Sequence, residues 1–360
     1  MVTLIESTSR VIGCAAVVSV VTLTLGLGQA PPPGQPPPGP PPGPGRGAAP
    51  TPESVERANQ VLIEARTALG GEKLTGMKTL VANGRTRRLR GDNLVPIEFE
   101  LFIELPNKYV RVDEFPAEET DPTSAGFNGD ALIQIPPPPT GPPGGRGMPP
   151  GPPGAAPPAG PAGIPGGRGP APDPMRARLM IVKQDYTRLA LGLFAASSAS
   201  PLTFSYAAVA EAPQGKAHVL DAKGEGNLAL RFFINSETRL PIMVSWNTPP
   251  SNVVVTVPGQ PPPKSIAPGA VVVPGPPAPA ANAAKEETDK YAKDVLALRA
   301  KAQATSVEHR LYFADYREVD GVRLPFRLRR AIDTETTEET TFDRYRLNVR
   351  IDPKEFEPLK

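Results

Sequence analysis

Cysteine is almost missing from this chain. The single one, Cys14, lies inside an apolar run near the N-terminus, so the folded part has no internal disulfide and no thiol chemistry. Histidine is nearly as scarce, with only His218 and His309, which fall on separate predicted strands and read as structural rather than metal-binding. No GxSxG elbow, P-loop, HExxH or CxxC occurs. No nucleophile, metal site or cofactor motif remains on which to build an enzyme, so the reading is a non-enzymatic protein without a cofactor. Charge of one sign is lacking too: 39 lysines and arginines face 37 acids, for a net charge of +2. No basic domain emerges, which excludes nucleic acid as a partner. The most basic stretch, residues 85–90, reads as the wet side and end of a strand.

What the chain has in excess is proline, 50 in 360 residues. Most fall in three tracts, 31–50, 136–174 and 248–282. Such tracts cannot bury enough apolar surface to offset the entropy of ordering, and they read as solvated, polyproline-II-rich coil. Glycine does not recur strictly at every third place, so collagen is excluded. Setting the tracts and the N-terminus aside leaves about 200 residues, enough for one β-rich domain over 51–356. Residues 31–50 form a linker, and 136–174 and 248–282 are disordered insertions in that domain.

Residues 11–27 are uncharged and mostly apolar, behind Arg10. They read as an export signal within residues 1–30, cleaved after Ala30, or as an uncleaved inner-membrane anchor. Either places the domain in the periplasm or cell envelope.

Thr51-Pro52-Glu53 opens a helix with a capping hydroxyl, a proline at the first turn and an acid near the positive end. Val55, Ala58, Leu62, Ala65 and Leu69 form its apolar stripe, and Gly70-Gly71 ends it. Strands follow from 78, 96 and 108, and Gly126–Ile135 reads as one more. In the second, Phe99, Leu101 and Ile103 share a face opposite Glu98, Glu100 and Glu104. Asp113 and Glu114 read as part of a solvated acidic loop. A second helix, from Asp173-Pro174 to about Ala196, repeats Leu179, Val182, Tyr186, Leu189 and Leu193 at helical spacing. Strands then cover 202–210, 218–222, 227–235 and 240–246. A charged segment, 285–306, reads as a solvated helix.

Asp320-Gly321 signals a two-residue hairpin turn. It pairs Val319 with Val322, Glu318 with Arg323, Phe313 with Leu328 and Tyr312 with Arg329. Phe313, Leu324, Phe326 and Leu328 share the greasy face. Leu311 then opposes Arg330, and Asp315 falls on the greasy side, which predicts a bulge near one of them. Pro325 predicts an edge strand or a bulge. Glu335, Glu338 and Glu339 read as solvated, and a last strand covers Tyr345–Ile351. The order of elements predicts an α+β, mainly β fold: a curved antiparallel sheet or half-open β-barrel with helices on its concave face.

The run Leu105-Pro106-Asn107-Lys108-Tyr109-Val110-Arg111, followed by Gly126-Phe127-Asn128-Gly129-Asp130, resembles the start of periplasmic outer-membrane lipoprotein-sorting proteins of the LolA/LolB type. Leu230–Ile242, with its Thr238-Arg239-Leu240-Pro241, and Asp320-Gly321-Val322-Arg323-Leu324-Pro325 are similar to later hairpins of that family. The resemblance implies a half-open barrel whose apolar interior takes up lipid or lipoprotein acyl chains beneath a helical lid. Candidate lining residues are then Phe99, Leu101, Ile103, Leu179, Val182, Phe232, Ile234, Phe313, Leu324 and Phe326. The alternative is a structural or interaction protein whose proline tracts are spacers or docking segments for envelope proteins or cell wall.

Overall fold

The computed structural model describes residues 49–91, 93–118, 120–137, 173–212, 215–259, 266–280 and 282–357. These all belong to the unit spanning Gly43–Lys360. The apolar run at 11–27 and most of the 31–50 linker and the 136–174 tract lie outside them.

Twelve strands form one antiparallel sheet, built from two meanders joined by a third group. The first meander is β1 (Thr79–Arg90), β2 (Asn93–Glu104), β3 (Lys108–Glu114), β4 (Thr123–Asn128) and β5 (Ala131–Ile135). The second is β6 (Leu202–Ala212), β7 (Gly215–Gly224), β8 (Ala229–Asn235) and β9 (Pro241–Thr248). Between β9 and the joining group come β10 (Asn252–Thr256) and β11 (Ala270–Pro274). The joining group is β12 (Val307–Val319), β13 (Val322–Ile332) and β14 (Glu335–Leu347). The spatial order is β5-β4-β3-β2-β1-β14-β13-β12-β9-β8-β7-β6. The sheet stays open, with β5 at one edge and β6 at the other, and it is the half-open curved sheet that the order of elements predicts.

Helix α1 (Pro52–Leu69) is capped by the Thr51 hydroxyl, which accepts the Ser54 N–H, and ends at Gly70. Its buried stripe is Ala58, Val61, Leu62, Ala65 and Leu69, so Val61 rather than Val55 completes it. It packs on β6 and β13, and the four-residue helix α2 (Glu72–Thr75) follows it. Helix α3 (Pro174–Phe194) touches β4, β5, β9 and β13 and so crosses the concave face. The sequence shows one apolar stripe, but Tyr186–Ala195 is buried all round, Thr187, Arg188 and Gly192 included. That is the pattern of a core helix rather than a surface one. Helix α4 (Lys285–Gln303) is largely exposed, as its charge pattern predicts.

Several expectations change. Gly126–Ile135 is the β4–β5 hairpin, because Gly129, at φ 59, turns the chain. The last strand starts at Glu335 rather than Tyr345: alternating Thr336, Glu338, Thr340 and Phe342 pair with β1 and β13. The 248–282 tract is not wholly coil, since β10 and β11 pair in parallel and pack on α4. Their cores, Val253-Val254-Val255 and Val271-Val272-Val273, are β-branched triplets that outweigh the flanking prolines.

The hairpin pairs as the Asp-Gly turn predicts, including Leu311 with Arg330. The irregularity falls at Asp315, which takes φ 55, and the buried face skips from Phe313 to Tyr316. Its carboxylate accepts from Arg317. Pro325 is not on an edge strand, because β13 lies between β12 and β14. However, β14 pairs with β13 only over Arg327–Ile332, so the missing N–H of Pro325 breaks no ladder on that side. Its carbonyl instead accepts the Tyr345 hydroxyl at 2.7 Å.

Helix α3 approaches the sheet closely at Gly192. A Cβ there would stand 1.9 Å from the Phe313 ring, and the Tyr316 hydroxyl donates to the Gly192 carbonyl at 3.0 Å. Gly192→Ala is expected to lower stability by about 2 kcal/mol in urea unfolding, despite the roughly 1 kcal/mol that alanine gains in helix propensity. Adding Phe313→Leu to that variant should recover part of the loss, as a double-mutant cycle would show.

Candidate binding cleft on the concave face

The register aligns charged residues on the concave side. Arg88 on β1, Glu338 on β14 and Arg330 on β13 pair in one row. The next row is Thr86, Thr340 and Leu328. Further out, Leu101, Arg111, Ala125 and Gln134 align across β2 to β5. Above these rows, α3 presents Arg178, Val182, Asp185 and Leu189, whose spacing of four, three and four puts them on one helix face. Between helix and sheet lies a cleft of about 520 Å³, open to solvent. Leu101, Val182, Leu189, Leu311, Leu328 and Phe342 supply its apolar wall, and Arg88, Arg111, Asp113, Arg178, Asp185, Arg330 and Glu338 its charged one.

Glu338 is the centre of the charged wall and is only 8% exposed. Arg88 Nε donates to it at 2.7 Å, and Arg330 stands 3.7 Å away. Arg111 donates from Nε to Asp113 at 2.6 Å and from Nη2 to Thr86 at 3.0 Å, with its guanidinium over the Phe99 ring. Burial alone would push the Glu338 carboxyl up, but Arg330, Arg111 and Arg88 together hold it below its ordinary value. Burial likewise disfavours charge on Arg111, yet Asp113 and Glu338 outweigh it and raise its pKa. Burial pushes Tyr109 up, so the phenol at the cleft floor is neutral.

The helix is fastened unevenly. Its N-terminal half is tied to the edge hairpin by Arg178 Nε to Gln134 at 2.7 Å and Lys183 to Asp130 at 2.8 Å. Its C-terminal half is core, where Arg188 donates to Asp185 at 2.8 Å and lies over the Trp246 ring at 4.3 Å. Moving the whole helix as a lid would open the core at Tyr186–Ala195.

The ten residues expected to line an interior divide. Leu101 and Val182 reach the cleft. Ile103, Phe232, Ile234 and Leu324 have no exposed surface and pack in the main core. Phe313 abuts Gly192, Phe326 meets Tyr345 edge-on, and Leu179 packs on the periphery of that core. Phe99 sits beneath Arg111 and edge-on to Phe342.

The charged wall was not anticipated. Asp113 belongs to β3 and Glu338 to β14, where burial and arginine partners replace the solvated loops expected of them. Strand parity carried the signal. Arg330 continues the inward set Leu324, Phe326 and Leu328, and Glu338 precedes Thr340 and Phe342. Both histidines are held by side chains: His218 lies between Tyr206 and Arg239, and His309 stacks on Trp246 with Nε2 2.9 Å from the Thr248 hydroxyl. Among the described residues no group of three or more histidines, cysteines or acids is placed to hold a metal ion, and no helix is long and apolar enough to cross a membrane.

Glu338→Gln leaves the half-buried Arg88 and Arg330 without their counter-charge and is expected to cost about 2 kcal/mol at neutral pH. Because the folded carboxyl is held below its ordinary value of 4.5, its contribution is complete above that pH and is lost as pH falls through the folded value. Urea midpoints measured against pH should therefore fall less steeply on the acid side for E338Q than for the wild type.

No protein-family model matches the chain, and no curated protein matches it by sequence. Among solved structures it is similar to a DUF1329 family protein from Desulfovibrio piger, at 8% identity and a TM-score of 0.39, over 84% of this chain and 97% of that one. It is also similar to a putative outer membrane lipoprotein-sorting protein domain from Vibrio parahaemolyticus, at 8% identity and a TM-score of 0.41, over 84% and 97% of the two chains. A LolA superfamily protein from Nitrosomonas europaea matches at 8% identity and a TM-score of 0.41, over 83% of this chain and 97% of that one.

Proposed function

We propose that this is an envelope protein that binds a hydrophobic molecule, a lipid or lipoprotein acyl chain, without covalent catalysis. The observation that carries the reading is the 520 Å³ cleft between α3 and the concave face, which Leu101, Val182, Leu189, Leu311, Leu328 and Phe342 line beside its charged residues. Its size lies within the range of small-molecule sites. Desolvating acyl methylenes against these apolar side chains stabilises the complex by about 0.8 kcal/mol each. The rest of the concave side is packed core, so the ligand occupies this cleft rather than a hollow barrel. Entry runs beside the N-terminal half of α3, which the Arg178–Gln134 and Lys183–Asp130 contacts tie to the edge hairpin. The apolar run at 11–27 supports export to the envelope.

Ala125, on β4 beside Arg111, lies at the cleft wall. Ala125→Trp should fill the cleft and weaken binding of palmitate or hexadecanol at least tenfold, with an unchanged circular dichroism spectrum. Native mass spectrometry and titration calorimetry read the binding. A wild-type protein that takes up neither compound would sink this reading.

A further inference from the structure

The charges of the cleft wall do not balance. Four guanidiniums line it, Arg88, Arg111, Arg178 and Arg330, against three carboxylates, Asp113, Asp185 and Glu338. Asp185 is engaged by Arg188 at 2.8 Å. That leaves Asp113 and Glu338 to serve all four arginines. Arg88 and Arg111 take the short contacts, at 2.7 Å to Glu338 and 2.6 Å to Asp113. Arg330 is left 3.7 Å from Glu338, beyond hydrogen-bond length. Arg178 has a neutral partner, Gln134, and no carboxylate within ion-pair distance among the described residues. Arg178 therefore lacks a carboxylate partner, and Arg330 shares Glu338 with Arg88, so both keep donor capacity and the cleft keeps an excess of positive charge.

Guanidinium forks match carboxylate and phosphate oxygens, and the apolar surroundings screen such a contact less than water does. The cleft also carries apolar side chains beside these charges, and α3 runs past both. Arg178, in the half-exposed first turns, is near the mouth, while Leu189, three turns on, is buried. A molecule with a charged end and a greasy tail meets both requirements at once. We infer that the cleft takes an acyl chain bearing an anionic head group, a carboxylate or a phosphate, whose charge is met by Arg178 and Arg330. The inference rests on the acyl-binding reading and narrows it to one class of amphiphile.

Calorimetric titration of the full chain with palmitate, palmitoyl lysophosphatidate and hexadecanol tests it. These probes share one chain length and differ in the head. At least one of the two anions should bind tenfold or more tightly than hexadecanol, and Arg178→Gln and Arg330→Gln should each remove most of that preference, read as the ratio of anion to hexadecanol affinity in the same variant. Whichever anion the two variants weaken more identifies the head group as carboxylate or phosphate. Arg178 is at the mouth and outside the Glu338 cluster, so its variant tests the idea even if Arg330→Gln disturbs the fold. Equal binding of all three probes overturns the anionic head and leaves an acyl site. A preference for the anions that survives in both variants also overturns it. Binding of none removes the acyl reading itself.

Discussion

A chain that finishes one meander at one edge of an open sheet and starts the next at the opposite edge must cross the sheet between them. Here β5 and β6 are those edges, and α3 makes the crossing. Twenty-one helical residues span about 31 Å. Most else about the concave side follows from that constraint. The C-terminal half of the helix becomes core, which is why Gly192 faces Phe313 with no room for a side chain. The N-terminal half lies beside β4 and β5 without filling the space beneath it, and the cleft is what remains.

The cleft floor in turn depends on how buried charge is managed. Glu338 is tolerable on the inner face only because arginines from β1, β3 and β13 converge on it. The same convergence brings more positive charge than two carboxylates can neutralise. The inner face thus acquires a polar end, in which the charged row Arg88, Glu338 and Arg330 borders a row of Thr86, Thr340 and Leu328.

Where local chemistry dictates structure, the sequence was legible. Thr51-Pro52 set the start of α1, Asp320-Gly321 set the register of β12 on β13, and Asp173-Pro174 set the start of α3. What alternation alone could not show was which polar residues share the inner face. Arg330 and Glu338 lie in phase with apolar neighbours, but charge suggested solvent, and their partners are far away in sequence: Arg88 is 250 residues from Glu338. The expected lining residues failed to separate cavity from core for a related reason. Periodicity marks a side chain as inward, and inward means core wherever a helix covers it. In the 248–282 tract, proline content obscured two valine triplets whose pairing with each other no local signal announced.

The joining group β12–β14 closes the sheet through pairings of β14 with β1 and β12 with β9. Its strands are also the last of the sheet to be made, from Val307 onward. During synthesis each meander therefore exists with a bare inner edge, β1 or β9, before the strands that cover it are available. Bare edges invite pairing with other chains, and closure over such long sequence separation is slow. A chain broken before Val307 would lose the described strands that hydrogen-bond the two meanders into one sheet and would leave α3, which touches β4, β5 and β9, to link them.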